Sequence, residues 1–144
     1  MTRDGGNRSG EALRLLLIED DPEVANMYRL RLEMDGHTVE LASDGESGLR
    51  AATENPPDLV FLDAHLPGMT GLELLAALRA SEPTRSLPVV ILTANDEPEL
   101  RRQGAELGAR DYLVKSQHTP SEVAGRVAGW VLGSPSPGWP QPTG

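Results

Sequence analysis

Short apolar runs alternate along the chain with longer stretches in which apolar residues recur at helical spacing. The runs cover residues 13–18, 38–41, 58–62, 88–92 and 111–114. Three of them contain the continuously apolar sequences LLLI, LVFL and PVVIL, a pattern that is typical of strands covered by helices on both faces of a parallel sheet. The pattern predicts five strands, each followed by a helix.

The stretches between the runs carry local signals of helix ends. Asp21 stands before Pro22, which places a capping carboxylate ahead of a proline suited to the first helical position. Gly36 is placed to end that helix. The other signals are a helical run over 45–54, capping boxes that begin at Thr70 and Thr119, and Asp96 as the cap of a helix that ends before Gly108.

Alternating strands and helices imply right-handed crossovers and a parallel sheet with helices on both faces. Five strand–helix units are too few for a closed eight-stranded barrel. We therefore predict an α/β fold with a doubly wound, open sheet, in one domain over residues 12–132. In such sheets ligands bind in the crevice at the carboxyl ends of the strands, where the strand order reverses.

The two ends of the chain differ in composition from this central region. Residues 1–11 are polar and Gly-rich, and residues 133–144 hold four prolines and three glycines, so we expect a flexible N-terminal segment and a disordered tail. Trp139 in the tail is either an anchor for a partner or, as we expect, a solvated side chain. Trp130 shares a helical stripe with valines, which favours a core or interface position.

Charge and composition exclude several classes of function. Acidic residues outnumber basic ones 22 to 13, which gives a net charge of -9 and argues against a nucleic-acid partner, because phosphate binding needs clustered Lys and Arg. The chain has no Cys, which removes thiolate nucleophiles and Cys-based metal sites. No apolar leader and no run near the ~20 apolar residues of a membrane helix occurs. We expect no membrane contact and a cytoplasmic location.

Polar side chains follow four of the five predicted strands. If the strand order is 2-1-3-4-5, as in one class of doubly wound sheet, strands 1 and 3 are neighbours at the point of reversal, and Asp20 and Asp63 converge there. The residues that follow the strands are Glu19, Asp20 and Asp21 after strand 1, Asp63 after strand 3, Thr93 and Ala94 at the end of strand 4, and Lys115 after strand 5.

Converging carboxylates need a counter-ion. Two unit charges ~4 Å apart repel by roughly 4 kcal/mol at an effective dielectric of 20, whereas a domain has only about 5–15 kcal/mol of net stability. Oxygen ligands without Cys or clustered His favour a hard cation, and Mg²⁺ fits best because it accepts a few carboxylates and keeps positions for phosphate oxygens. For Asp21, the position before Pro22 favours a helix-cap role.

Asp63 follows a buried strand, and a carboxylate can act as a nucleophile toward phosphorus to form an acyl phosphate. Such a transfer requires positioning, a metal ion and donors for the equatorial oxygens. Lys115 supplies a cation, Thr93 supplies a hydroxyl, and Ala94 leaves space beside these oxygens. The residues therefore predict phosphoryl transfer onto Asp63.

Four blocks of the sequence resemble those of bacterial response-regulator receiver domains, and the similarity extends over the predicted domain. The blocks are LRLLLIEDDP, PDLVFLDAHLPGMTGLELL, VVILTA and DYLVK, in the family's order. The resemblance implies a flavodoxin-like fold with strand order 2-1-3-4-5. It also implies that Asp63 is the phosphoacceptor, that Asp20 binds Mg²⁺ directly beside Glu19 in the second shell, and that the backbone carbonyl of His65 is the third protein ligand.

The resemblance assigns the remaining polar residues to a conformational switch. Thr93 matches the hydroxyl that turns toward the phosphoryl group, with Ala94 next to it, and Lys115 matches the lysine that contacts that group. Tyr112 matches an aromatic residue that moves between outward and inward positions as Thr93 moves. On periodicity alone Tyr112 is simply a strand residue.

Two residues depart from the family pattern. Ser116 stands where the family usually has proline in a cis peptide, and because a cis bond to a non-proline residue costs ~2.5–4 kcal/mol, we expect a trans bond at this position. His65 lies two residues after Asp63, beside the expected path of attacking water. It either alters autodephosphorylation or points to solvent. His37 and His118 are expected at the surface.

The resemblance also implies the partners. The phosphoryl donor is a phosphohistidine on a sensor histidine kinase or a phosphotransfer protein, and the downstream protein binds the face made by helix 4, strand 5 and helix 5. Because no output domain follows in this sequence, we expect a stand-alone receiver that controls a protein or passes phosphate along a relay. Its catalysis extends only to its own phosphorylation and dephosphorylation, so it is not an enzyme.

Two other classes of protein remain as alternatives. Haloacid-dehalogenase phosphatases also use an Asp nucleophile with Mg²⁺, but they need a second Asp two residues on, where this chain has His65. A pseudo-receiver, which binds partners without phosphorylation, is disfavoured by the complete set of acids, Thr93 and Lys115. The residues favour a phosphorylation switch over both alternatives.

Overall fold

A computed structural model describes residues 12–133 and residue 139. Its five strands are β1 (Arg14–Ile18), β2 (Thr38–Ala42), β3 (Leu59–Asp63), β4 (Val89–Thr93) and β5 (Asp111–Val114). Its five α-helices are α1 (Pro22–Met34), α2 (Gly45–Glu54), α3 (Gly71–Ala80), α4 (Pro98–Glu106) and α5 (Pro120–Leu132). Short 3₁₀ turns lie at Glu82–Thr84 and Lys115–Gln117.

The strands form one parallel sheet in the order β2-β1-β3-β4-β5. This order confirms the predicted doubly wound α/β fold, and it makes β1 and β3 neighbours at the point where the order reverses. Ile18, the last residue of β1, pairs with Leu62, the residue before Asp63. The segment after β1 therefore leaves the sheet beside the side chain of Asp63.

Successive residues of each central strand face opposite sides of the sheet, and both sides are buried. Leu16, Val60 and Ile91 belong to one apolar cluster, which also contains leucines of α3. Leu17 and Phe61 belong to the other cluster, which is completed by side chains of α1 and α5. This double burial is the physical reason that the central strands are continuously apolar.

Local capping residues set most of the helix starts. The side chain of Asp21 accepts from the backbone N–H groups of the first turn of α1, and Thr70 and Thr119 form the capping boxes predicted for α3 and α5. The predicted cap Asp96 is wrong, because α4 starts at Pro98 and its N-cap residue is Glu97. Proline favours the first helical position, so the helix begins one residue later than a cap at Asp96 would require.

The predictions for the chain ends lie largely outside the described residues. Gly133 closes α5 with a φ of 93°, a conformation that glycine adopts without a Cβ clash. Trp139 is only 7% exposed, so the expectation of a solvated side chain is wrong for this residue. Within the described ranges, every helix is too short or too polar to cross a bilayer.

Candidate functional site

The carboxyl ends of β1 and β3 bring three acidic side chains together. Carboxylate oxygens of Glu19, Asp20 and Asp63 all lie within 4.8 Å of one another. Glu19 and Asp63 are buried, whereas Asp20 is exposed. The structure thus places the carboxylates as the strand order predicts, with one of the three open to solvent.

A glycine allows the next helix to approach this point closely. A Cβ atom on Gly71 would lie 2.6 Å from the carbonyl oxygen of Asp63 and 2.8 Å from Cα of Ala64, both well inside van der Waals contact. The N–H of Gly71 instead donates to the carbonyl oxygen of Ala64 at 3.0 Å. The start of α3 therefore packs directly on the backbone that carries Asp63.

Lys115 supplies the positive charge of the cluster. Its Nζ lies 2.6 Å from Oε1 of Glu19 and 3.4 Å from Oδ2 of Asp63. No cis peptide bond occurs within the described ranges, so the bond from Lys115 to Ser116 is trans, as expected from the cost of a cis bond before a residue other than proline. The trans bond still lets the ammonium group reach both acids.

The proximity of these charges shifts two pKa values. Burial raises the pKa of Glu19 above its ordinary value, and the charge of Asp63 adds to this rise against the opposing hydrogen bond from Lys115. Burial by itself lowers the pKa of Lys115, but the hydrogen bond to Glu19 and the charge of Asp63 outweigh it, so the net shift is upward. Lys115 therefore stays protonated at neutral pH.

Thr93 ends β4 beside the cluster, followed by Ala94. Thr93 is fully buried, and its Oγ1 has no hydrogen-bond partner among the described residues. A buried hydroxyl left without a partner costs about 1–3 kcal/mol. This side chain therefore has an unmet hydrogen bond that a group bound at the site can supply.

His65 is tied to the site by its backbone and to α4 by its side chain. Its N–H donates to Oδ1 of Asp63 at 3.0 Å, and its Nε2 lies 2.6 Å from Oε2 of Glu97. The side chain is 60% exposed, yet its ring is held by Glu97. The sequence did not indicate this pairing, because the two residues are 32 positions apart.

Tyr112 occupies a buried position in β5, with 3% of its surface exposed. Its hydroxyl accepts a hydrogen bond from the N–H of Glu97 at 2.8 Å and lies 3.3 Å from the carbonyl oxygen of Asn95. The guanidinium carbon of Arg101 lies 4.5 Å from the ring centroid, and the ring of Trp139 is stacked at 6.5 Å with an interplanar angle of 10°. Burial raises the pKa of the Tyr112 hydroxyl.

The donor set suits a hard divalent cation. The three carboxylates and the ammonium group of Lys115 leave two negative charges when all are ionised, and the ligand atoms are oxygens of the kind that Mg²⁺ prefers. Both oxygens of Glu19 already have partners, because Oε1 accepts from Lys115 and Oε2 accepts from the N–H of Asp21 at 3.2 Å. Asp63 also has a partner at each oxygen, the N–H of His65 and the ammonium group of Lys115, but its contact with Lys115 is the longer one, at 3.4 Å against 2.6 Å for Glu19.

Comparisons with known proteins agree with this geometry. The family described as response regulator receiver domain matches residues 15–127. The probable transcriptional regulatory protein TcrX of Mycobacterium tuberculosis is 40% identical over 106 residues, which cover 74% of this chain and 44% of that protein. The chain spans about half the length of the curated relatives that it matches, as for the PhoB protein of Klebsiella pneumoniae, of which 50% is covered.

Solved structures share the fold. A response regulator from Chloroflexus aurantiacus has a TM-score of 0.78 and 35% identity, and the alignment covers 85% of this chain and 99% of that one. The receiver domain of a sensor histidine kinase from Pseudomonas aeruginosa has a TM-score of 0.74 and 30% identity, with 84% of this chain and 98% of that one covered. That structure has a magnesium ion coordinated in the active site cleft.

Proposed function

Because this chain belongs to the family of response regulator receiver domains of two-component signalling, we propose that it is a switch that accepts a phosphoryl group on Asp63. The observation that carries the proposal is the meeting of Asp63 with Asp20 and Lys115 at one crevice. Carboxylates so close together are unfavourable unless a cation joins them, and the fully buried Thr93 hydroxyl beside them has an unmet hydrogen bond.

The proposed metal ion is Mg²⁺, with Asp20, Asp63 and the backbone carbonyl of His65 as its protein ligands. Glu19 would lie beside these ligands without binding the ion directly, because its Oε1 holds Lys115 at 2.6 Å, whereas Asp63 contacts Lys115 only at 3.4 Å. Bound Mg²⁺ neutralises charge on a transferring phosphoryl group. The exposed position of Asp20 keeps the site open to solvent and to a phosphoryl donor.

In the proposed transfer, a carboxylate oxygen of Asp63 forms a bond to phosphorus while the bond from phosphorus to the donor histidine nitrogen breaks. The histidine leaves with the electron pair of that bond. Lys115 contacts the transferred group, the hydroxyl of Thr93 donates to one of its oxygens, and Ala94 leaves space beside them. The Thr93 hydroxyl, which has no partner within the described ranges, then gains a hydrogen bond, and this gain favours the phosphorylated conformation.

The proposed donors are a sensor histidine kinase or a phosphotransfer protein, and the proposed output is a protein contact at α4, β5 and α5. This face contains Tyr112, which meets Glu97 at the start of α4, and a movement of Thr93 at the end of β4 reaches the same loop. The stand-alone role and the lack of a nucleic-acid partner stay predictions, because the curated relatives are named as transcriptional regulators and extend beyond the matched region.

Incubation with acetyl phosphate and Mg²⁺, followed by intact-mass analysis, tests the proposal. We expect the wild type to gain one phosphoryl group and Asp63→Asn to gain none. Asp58→Asn is a matched control, because Asp58 lies at the other end of the same strand and binds the N–H of Arg14. A wild type that stays unmodified with Mg²⁺ present contradicts the proposal and favours a pseudo-receiver.

A further inference from the structure

Trp139 contacts residues of the receiver domain that are distant from it in the sequence. Its Nε1 donates to the carbonyl oxygen of Ala109 at 2.9 Å, and its ring is stacked on the ring of Tyr112. It belongs to the same apolar cluster as Ala109, Tyr112 and Val114. The segment between Gly133 and Trp139 is five residues long, so the indole is tethered close to the surface that it contacts.

A side chain that binds at Ala109 and Tyr112 as Trp139 does must have three properties. The ring must be apolar enough to be 7% exposed, flat enough to lie at 10° to the ring of Tyr112, and equipped with a donor for the carbonyl of Ala109. Tryptophan is the only side chain that combines a large apolar ring with an N–H donor and no acceptor. The match indicates a specific site for an indole group.

Trp139 is one of three groups that contact Tyr112 in its buried position. The Tyr112 hydroxyl bonds to the N–H of Glu97, Arg101 contacts the Tyr112 ring, and Trp139 is stacked on it. Of these three contacts, only the one from Trp139 comes from outside the loop and helix that follow β4. Loss of Trp139 would therefore uncover one side of Tyr112 and leave the contacts with Glu97 and Arg101 in place.

We propose that the surface formed by Ala109 and Tyr112 is a binding site for a tryptophan side chain, that Trp139 of the same chain occupies it, and that this contact holds Tyr112 in its buried position. A partner that inserts an aromatic side chain at this surface must displace Trp139. Short tethers give effective concentrations of the order of millimolar, so such a partner competes with a tail that is always present. This site stands on the contacts of Trp139 and does not rest on phosphorylation of Asp63.

Nitration of tyrosine tests the site without Mg²⁺ or a phosphoryl donor. The chain has two tyrosines, and both are 3% exposed, so Tyr28, in the other apolar cluster, is an internal control. In Trp139→Ala we expect tetranitromethane to nitrate Tyr112 about 2- to 10-fold faster, as expected for loss of one aromatic pair, with Tyr28 unchanged. Equal rates at Tyr112 in the variant and the wild type overturn the proposal.

Two further variants separate the contact from a general effect on stability. Trp139→Phe keeps a ring but removes the donor to Ala109, so Tyr112 should react at an intermediate rate. Leu132→Ala changes a side chain at the end of α5 that is 62% exposed, and it should leave Tyr112 as protected as in the wild type. A rise at both tyrosines in Trp139→Ala signals general loosening of the fold and counts against the proposal.

A peptide added in trans tests whether the surface is a binding site. A synthetic peptide with the sequence of residues 133–144 should restore protection of Tyr112 in Trp139→Ala at millimolar concentration, and the same peptide with Ala in place of Trp should not. Failure of the tryptophan peptide to restore protection overturns the site. A protein that is not phosphorylated on Asp63 can still show the expected nitration rates. The proposal for Trp139 and the proposal for Asp63 can therefore be contradicted independently.

Discussion

Lys115 Nζ lies closer to Glu19, at 2.6 Å, than to Asp63, at 3.4 Å. The ammonium group is therefore held mainly by the acid that is not the proposed phosphoacceptor. A phosphoryl group on Asp63 would draw Lys115 from this partner toward its oxygens. Glu19 thus holds the ammonium group of Lys115 next to Asp63. The net charge at this end of the sheet depends on Glu19 being ionised.

Replacing Lys115 with Met should destabilise the protein in metal-free buffer. Hydrogen bonds to charged groups contribute about 1.5–3 kcal/mol, and the substitution leaves the acids without their counter-ion. Urea denaturation should show a loss in this range with EDTA and a smaller loss with Mg²⁺. Arg85→Met is the control, because its ion pair with Glu82 is exposed and such pairs contribute only about 0–1 kcal/mol.

Replacing Asp20 with Asn should have the opposite effect. It removes one negative charge from a cluster whose oxygens lie within 4.8 Å of one another, so we expect the melting temperature in EDTA to rise by a few degrees. Because Asp20 is a proposed direct ligand, the same variant should no longer gain stability when Mg²⁺ is added. An unchanged or lower melting temperature in EDTA would show that the repulsion argument is wrong.

Thr93 and Thr84 offer a matched pair of substitutions. Both side chains are fully buried, but Oγ1 of Thr84 donates to the carbonyl of Leu78 at 2.6 Å, whereas that of Thr93 has no described partner. Thr93→Val should raise the free energy of unfolding by about 1 kcal/mol, and Thr84→Val should lower it by about 1–3 kcal/mol. Denaturation curves that shift in the same direction for both variants contradict this assignment.

His65 should slow hydrolysis of the proposed acyl phosphate. Its ring pairs with Glu97 at the start of α4, which holds it near the loop that follows Asp63, so we expect it to shield the phosphoryl group. His65→Ala should shorten the lifetime of phosphorylated Asp63, and Glu97→Ala should shorten it in part by releasing the ring. Glu97→Gln, which retains an acceptor, is the control. An unchanged lifetime in His65→Ala removes the shielding role.

His37 should make stability depend on pH. Burial lowers the pKa of His37 below 6.5, and its Nδ1 accepts a hydrogen bond from the N–H of Leu13 at 3.1 Å, which protonation abolishes. With the native pKa below the unfolded one, this stabilisation is fully present above pH 6.5 and is lost as the pH falls from there through the native pKa. Urea denaturation at pH values on either side of 6.5 should show a free energy of unfolding that falls with falling pH in the wild type. The fall should be smaller in His37→Asn.

The order of elements was predictable because its signals are local. The apolar runs, the cap at Asp21 and the capping boxes at Thr70 and Thr119 each depend on residues a few positions apart. The meeting of Asp20 with Asp63 was predictable only with the strand order, since parallel strands place their carboxyl ends at the same edge.

The remaining features depend on contacts between distant residues. Nothing near Lys115 in the sequence indicates that Glu19 is its closer partner, and nothing near His65 indicates Glu97. The predicted cap at Asp96 failed because the preference of Pro98 for the first helical turn outweighs a carboxylate two positions earlier. Trp139 was a single aromatic residue in a Pro-rich tail, and its partner carbonyl lies 30 positions away.

The contact of Gly71 with the backbone of Asp63 has a consequence for how the domain tolerates change. The hydrogen bond from the N–H of Gly71 to the carbonyl oxygen of Ala64 joins the two ends of the loop between them, and this loop therefore has a fixed length. Insertions or deletions between Ala64 and Gly71 should disturb the close packing of α3 on the backbone of Asp63, whereas changes of length in the loops after α1 or α2 should leave this contact in place. The loop between Ala64 and Gly71 should therefore tolerate fewer changes of length than the loops elsewhere in the domain.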